Sequence, residues 1–306
     1  MINIDNKFKM EGYYSFKVVN ASTGKERDVS DIIAKDHKNM ILDSGLNALG
    51  YGSICGRCKV VTCSTPVSAT QTDLASSLVS TTTVQSDSVG RISTAPYYSW
   101  GRRTYRFNQG VAAGNLTEVG VYGQNATSLF SRALIVDTEG NPTTLTILSD
   151  EWLDITYELR IYQDLVDKTY NLTLLGVNHV VTVRPASVLD NVAINSSHFF
   201  TEFLYWYTSY QCIHYNGAIG SITAAPSGTT SNDLSTTYTS YVNSSYTRSL
   251  VLSSGLNNNN YAGGISSTLV RTNKGYWQVG YVPAIAKDNF RTLVITLTFS
   301  WGRYDT

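Results

Sequence analysis

Tyr14-Ser15-Phe16-Lys17-Val18-Val19, closed off by Thr23-Gly24-Lys25, sets bulky apolar side chains on alternate residues and then supplies a turn. A period of two puts Tyr14, Phe16 and Val18 on one face of an extended chain, so the stretch reads as a strand with a buried side. The same reading covers Thr117 to Tyr122, Leu129 to Val136, Thr144 to Leu148, Asp154 to Tyr162, Tyr170 to Leu174, His179 to Val183 and Thr292 to Trp301. Glu139-Gly140-Asn141-Pro142 between two of these runs predicts a hairpin turn, because Gly and Asn tolerate positive φ and Pro stops a strand from continuing. Helical spacing is confined to two places. Ser30 to Leu49 carries Ile33, Met40, Ile41, Leu46 and Leu49 around Gly45, and Ser197 to Tyr210 sets Phe200, Leu204 and Tyr207 on one stripe behind a Ser N-cap.

These elements recur in order. Pro66 precedes Asp73-Leu74 in a Ser/Thr-rich stretch, and Pro226 precedes Asp233-Leu234 in another, 160 residues on. His37 stands near one helical segment and His198 near the other, while Leu153-Asp154-Ile155-Thr156-Tyr157 is matched by Leu293-Val294-Ile295-Thr296-Leu297. Self-similarity at so long a period points to paired domains. The expectation is an all-β protein with minor α: two tandem β-sandwich-like domains, each with about one helix, over residues 1–167 and 168–306, the second a shorter, divergent duplicate of the first. Ser99-Trp100-Gly101-Arg102 and Ser300-Trp301-Gly302-Arg303 are also alike but fall at different places in the two copies.

Composition narrows the function. The 306 residues include 23 basic and 23 acidic ones, and charged residues make up 15%, against roughly 25% in an average soluble domain. A chain with no net charge is poorly suited to nucleic acid or to an anionic membrane, and neither partner is expected. The apolar runs Phe199 to Tyr207 and Leu293 to Trp301 are too short for a membrane-spanning helix, and Met1 to Lys7 lacks the layout of a signal peptide, so synthesis in a cytoplasm is expected. Twenty-one Tyr among many Ser, Thr and Asn favour strands and broad, polar-edged contact surfaces.

Chemistry is sparse. Cys55-Gly56-Arg57-Cys58 with Cys63 has the spacing of half a tetrahedral metal site, but it lacks a nearby fourth ligand, and the preferred reading is reduced or surface-loop thiols. No Gly-x-Ser-x-Gly elbow and no phosphate loop occurs. The carboxylate groups Asp150-Glu151-Asp154 and Asp137-Glu139 read as turn residues beside strands, so neither catalytic residues nor cofactors are expected. In Asn115-Leu116-Thr117-Glu118-Val119-Gly120-Val121 a Glu interrupts an apolar strand and must be paired or turned outward; alternation favours the solvent face.

That motif, then Leu129-Phe130-Ser131-Arg132-Ala133-Leu134, the acidic-Gly turn at Asp137 to Gly140, Thr144-Leu145-Thr146-Ile147 and the closing strand Leu153 to Arg160, resembles in content and order the structural proteins of tailed-bacteriophage virions. Upstream, Lys38-Asn39-Met40-Ile41-Leu42-Asp43-Ser44-Gly45-Leu46-Asn47 is similar to the element that opens such domains, with Leu42 where Thr is usual. The resemblance spans residues 38–162, and the second half lacks the Asn-x-x-Glu-x-Gly strand. It implies a non-enzymatic virion component, made in the host cytoplasm, that acts as a tail or neck connector or a fibre-anchoring adaptor. Its partners would be other tail, neck or fibre proteins and further copies of itself. A receptor- or carbohydrate-binding tail protein is the alternative, with Tyr205-Trp206-Tyr207, Tyr97-Tyr98-Ser99-Trp100 or Tyr276-Trp277 as sugar platforms, and a capsid decoration protein is a third.

Overall fold

The computed structural model describes residues 2–62, 65–74, 78–92, 94–123, 128–186, 196–202, 212–231 and 234–304. Up to residue 167 the elements are β1 (Ile2–Asn20), β2 (Glu26–Arg27), β3 (His37–Ile41), α1 (Asp43–Ala48), β4 (Arg57–Val61), β5 (Val79–Thr81) and β6 (Val84–Ile92). They continue with β7 (Tyr98–Phe107), β8 (Gly114–Leu116), β9 (Glu118–Tyr122), β10 (Leu129–Leu134), β11 (Leu145–Ile147) and β12 (Glu151–Tyr162). Beyond it lie β13 (Lys168–Leu174), β14 (Val177–Pro185), α2 (Ser196–Phe199), β15 (Cys212–Tyr215), β16 (Thr230–Ser231) and β17 (Ser235–Tyr238). The last are β18 (Thr247–Ser254), β19 (Ile265–Arg271), β20 (Tyr276–Ile285) and β21 (Leu293–Arg303). The fold is all-β, with one short helix in each half among the described residues.

Hydrogen-bonded order repeats between the halves. In the first, β5, β4, β9, β10, β3 and β1 are successive neighbours, and β6, β7 and β12 form a second run. In the second, β16, β15, β19, β20, β14 and β13 follow the same order, and β17, β18 and β21 match β6, β7 and β12. Even the loop contacts correspond: Leu42 N donates to Phe130 O at 2.9 Å, and at the matching place Ala186 N donates to Tyr276 O at 2.8 Å. The Leu153 and Leu293 runs are in phase, with Leu153, Ile155, Tyr157 and Leu159 buried in one, and Leu293, Ile295, Leu297 and Phe299 in the other.

Side chains between the runs make the layers. Phe130 on β10 and Tyr157 on β12 bring their rings edge to face at 6.2 Å. In the second half Trp277 on β20 meets Phe299 on β21 at 5.2 Å and Phe8 on β1 at 4.4 Å. Phe8 therefore packs into the second half although it lies in the first.

Among its neighbours, strand β1 pairs with one closing strand from each half. Lys9 to Asn20 run antiparallel to β12, while Ile2 to Met10 run parallel to β21, with the register broken between Asn3 and Lys7. One strand thus continues the β6-β7-β12 run into β21, β18 and β17.

Two expectations need correcting. The helical spacing over Ser30 to Leu49 yields a helix only at Asp43–Ala48, because His37 to Asn39 pair with β1 and Met40 and Ile41 pair with β10, so tertiary pairing overrides local periodicity. In the second segment Ser196–Phe199 is helical, and residues 203–210 of that expectation lie outside the described residues. The Asp-Leu matches also occupy different places: Leu74 precedes β5, whereas Leu234 follows β16. The 139–142 turn forms, with Val136 bridging Pro142, but β11 then leaves to pair with β8.

Gly45 shows why α1 sits where it does. A Cβ there would lie 2.1 Å from Phe130 O, so only glycine lets the helix rest on the backbone of β10. Gly45→Ala should destabilise the protein by about 1–3 kcal/mol in urea unfolding, although alanine is the better helix former.

Candidate functional site

The outer face of β1, β12 and β7 carries a lattice that alternation along three strands brings together. Asp154, Thr156, Glu158, Arg160 and Tyr162 stand directly opposite Arg106, Thr104, Arg102, Trp100 and Tyr98. On the other side of β12, Tyr13 faces Glu158 and Glu11 faces Arg160. Cross-strand neighbours of this kind sit close enough to touch.

They pair throughout. Arg106 grips Asp154 through two bonds of 2.7 Å and lies 4.8 Å over the Trp152 ring. Thr104 and Thr156 share a 2.8 Å hydroxyl bond. Glu158 accepts from Arg102 and Arg160, both at 2.5 Å. Arg102 lies over Trp100 at 4.5 Å, and Arg160 lies 4.1 Å over Tyr13 and 5.2 Å over Tyr98. The Trp100 indole covers Gly90 so closely that a Cβ there would come within 2.5 Å of it. Planar guanidinium and aromatic groups are therefore held flat in fixed positions, with their side-chain entropy already lost.

At one end the lattice meets a cleft of about 570 Å³ bordered by Met10, Met40, Val67, Leu134 and Tyr304. The Tyr304 ring packs on Tyr162 at 4.6 Å, tilted by 42°. Glu11 stands at the junction. Burial opposes its ionisation, but Lys38 at 2.8 Å, Tyr13 at 2.9 Å and Tyr162 at 3.0 Å outweigh that and hold its carboxyl below the usual range. Burial and the same carboxylate push the Tyr13 phenol up to about 12.

The second half supplies a comparison. By strand pairing, Arg102, Glu158, Arg106 and Asp154 correspond to Ser249, Thr298, Ser253 and Val294. Ser249 and Thr298 share a 2.8 Å hydroxyl bond where the first half has its Arg–Glu pair. The fold thus holds these strands together without guanidinium, carboxylate or indole.

The residues singled out from sequence are distributed differently from expectation. Glu118 is not on a solvent face: it is fully buried and ion-paired with Arg132, which is equally buried and donates to Thr65 O at 2.9 Å. The strand is covered on both sides, so alternation there has no wet face to report. Burial pushes the Glu118 carboxyl up to about 7 despite its partner. At the matching position of the second half, Gln278 reaches the corresponding loop, between β15 and β16, with a neutral amide, accepting from Gly220 N at 2.7 Å and donating to Ser221 O at 2.8 Å.

Cys55 and Cys58 are buried rather than in a surface loop, and burial pushes both thiols up. Cys63 lies outside the described residues, and among those described no group of three or more metal-ligating side chains forms. Asp154 and Glu151 are strand residues, not turn residues, and Glu151 takes Arg27 at 2.6 and 2.9 Å. Trp277 is core, and Tyr205-Trp206-Tyr207 falls outside the described residues; of the aromatic clusters, Tyr98 and Trp100 reach the lattice. The sequence signal for this face is Arg102, Thr104 and Arg106 alternating along β7, whose few apolar residues do not mark it as a strand.

No family model, no curated protein and no solved structure matches the chain.

Replacing Arg102 and Glu158 together by the Ser and Thr of the second half should cost less than about 1 kcal/mol of stability by thermal unfolding, since the pair is partly exposed and its counterpart folds without it. A loss of several kcal/mol would make the lattice a structural requirement.

Proposed function

We propose that this chain is a non-enzymatic structural component of a tailed-phage virion, assembling in the tail or neck region as a connector or fibre-anchoring adaptor, built from two tandem domains that arose by duplication. The observation that carries the reading is the Arg, Tyr and Trp lattice on one half alone. Those three residue types dominate the energetic centres of protein interfaces, and here they are pre-ordered on a rigid sheet that the other half builds from Ser, Thr and Val. The order of motifs over residues 38–162 supports the virion setting, and the repeated strand order supports duplication. The buried Glu118 and Arg132 belong to one of those motifs and anchor the loop at Thr65, which gives them a structural role.

A second reading draws on one feature. The Trp100 indole packs against Gly90 with the Arg102 guanidinium over its ring, and an aromatic ring held on the outer face of a sheet favours a carbohydrate-binding tail protein.

Immunogold electron microscopy of phage particles, with antibody against this chain, separates the two. Label at the neck or tail body is the expected result. Label at distal tips, together with glycan-array binding lost in Trp100→Ala, would transfer the assignment to the second reading, and unlabelled particles from a blot-positive lysate would overturn both.

A further inference from the structure

Strand pairing sets two groups of loops at opposite ends of the molecule. Strand β12 starts opposite Asn20, at the C-terminal end of β1, and runs back along it to Lys9. Strand β21 runs parallel to β1 and pairs Leu297 with Ile2, so its start at Leu293 lies beyond the other end. The loops before β12 therefore cap one end and the loops before β21 cap the other. They are matching loops of the two halves, because β12 and β21 hold equivalent places beside β7 and β18.

Both caps expose apolar side chains on braced backbone. At the β12 cap Val111 and Leu148 are exposed, and their loops meet at Glu151: Leu148 N donates to its Oε2 at 2.8 Å and Gly110 N to its backbone O at 3.0 Å. At the β21 cap Leu256 is exposed and Phe290 is 84% exposed. Lys287 ties these two loops together, donating to Asn260 Oδ1 at 2.8 Å and to Asp288 O at 3.2 Å, and Asp288 Oδ1 accepts from Phe290 N at 3.0 Å. The same loops thus present apolar groups in both halves, on different residues, and packing inside the chain leaves them open to water. Apolar groups held outward in this way mark contact surfaces.

Charge selects the contact. Around the β12 cap, residues 20–35 and 135–150 carry Asp28, Asp31, Asp137, Glu139 and Asp150 against Lys25 and Lys35. The other two charges there, Glu26 and Arg27, are closed in ion pairs with Lys17 and Glu151. Around the β21 cap, residues 255–264 and 286–292 carry Lys287, Asp288 and Arg291 alone, a basic excess. A cap meeting its own kind sets like charges together, whereas the acidic cap and the basic cap are complementary.

We infer that copies of this chain associate head to tail, the β21 cap of one copy seated on the β12 cap of the next, with Phe290 and Leu256 against Leu148 and Val111. A contact between unlike patches continues from copy to copy, as a ring or as an open filament according to the rotation at each step. The inference deepens the assembly reading and rests on it for the use of the contact, while its geometry is independent of the lattice on β1, β12 and β7.

The test uses the full chain. Phe290→Asp blocks the β21 cap and Leu148→Asp the β12 cap, because each sets a carboxylate against the apolar surface of the next copy. Both residues are exposed, so each variant should melt at the parent's temperature. By light scattering the parent should grow past the dimer with concentration, and either variant alone should associate roughly tenfold more weakly or worse. An equal mixture of the two should form a 1:1 complex, since each supplies the cap that the other lacks. A parent that stays monomeric, a Leu148→Asp chain that dimerises alone, or a mixture that stays monomeric would overturn it. Head-to-tail oligomers found beside unlabelled particles would uphold this contact and remove the virion reading; labelled particles with a monomeric chain would do the reverse.

Discussion

A single strand that pairs with one closing strand from each half holds the molecule together. Strand β1 is 19 residues long, and its two ends meet different partners: Lys9 to Asn20 lie against β12, and Ile2 to Met10 against β21. Backbone groups of both closing strands are satisfied by one segment, and Phe8 carries its ring from that segment to Trp277. Other contacts reinforce the junction. Trp301 donates its indole N–H to Leu46 O at 2.7 Å, Arg303 bonds Ile41 O and Asp43, and Ser99 donates to Lys274 O at 2.8 Å. A buried backbone edge left open is costly, so neither closing strand gives up its neighbour easily.

The two halves act as controls for each other. Where both need an element, different residues solve one problem: Arg132 with Glu118 holds one loop by charge, and Gln278 holds its counterpart by a neutral amide. A buried ion pair offers little net stability over a neutral solution, which is consistent with the fold accepting either. Where only one half has a feature, the fold is not its reason. The lattice of Arg102, Arg106, Arg160, Trp100 and Tyr98 is of that kind, and this makes it informative about contacts outside the chain.

Much of the architecture was legible in the residues. Thr292 to Trp301 alternates in burial because one side is core and the other more open, and the apolar residues of Asp154 to Tyr162 recur every second position on the core side. Thr117 to Tyr122 reads as a strand, but alternation misplaces its Glu, because a strand covered on both faces has no outward side. β3 hid behind helical spacing, since five residues divided between two sheets leave too short a record of alternation. β7 mixes Arg, Trp and Tyr outward with Gly, Tyr and Phe inward, a polarity that a search for apolar runs passes over. The lattice depended on recognising β7, so its residues stayed scattered in sequence until the register joined them.

Native-state hydrogen exchange followed by mass spectrometry tests the shared strand most directly. If β1 binds both closing strands into one unit, the amides of β12 and β21 open with the same free energy, within about 1 kcal/mol, and Phe8→Ala lowers both together. Exchange of β21 several kcal/mol more easily than β12, with β12 unaffected by Phe8→Ala, would contradict the account.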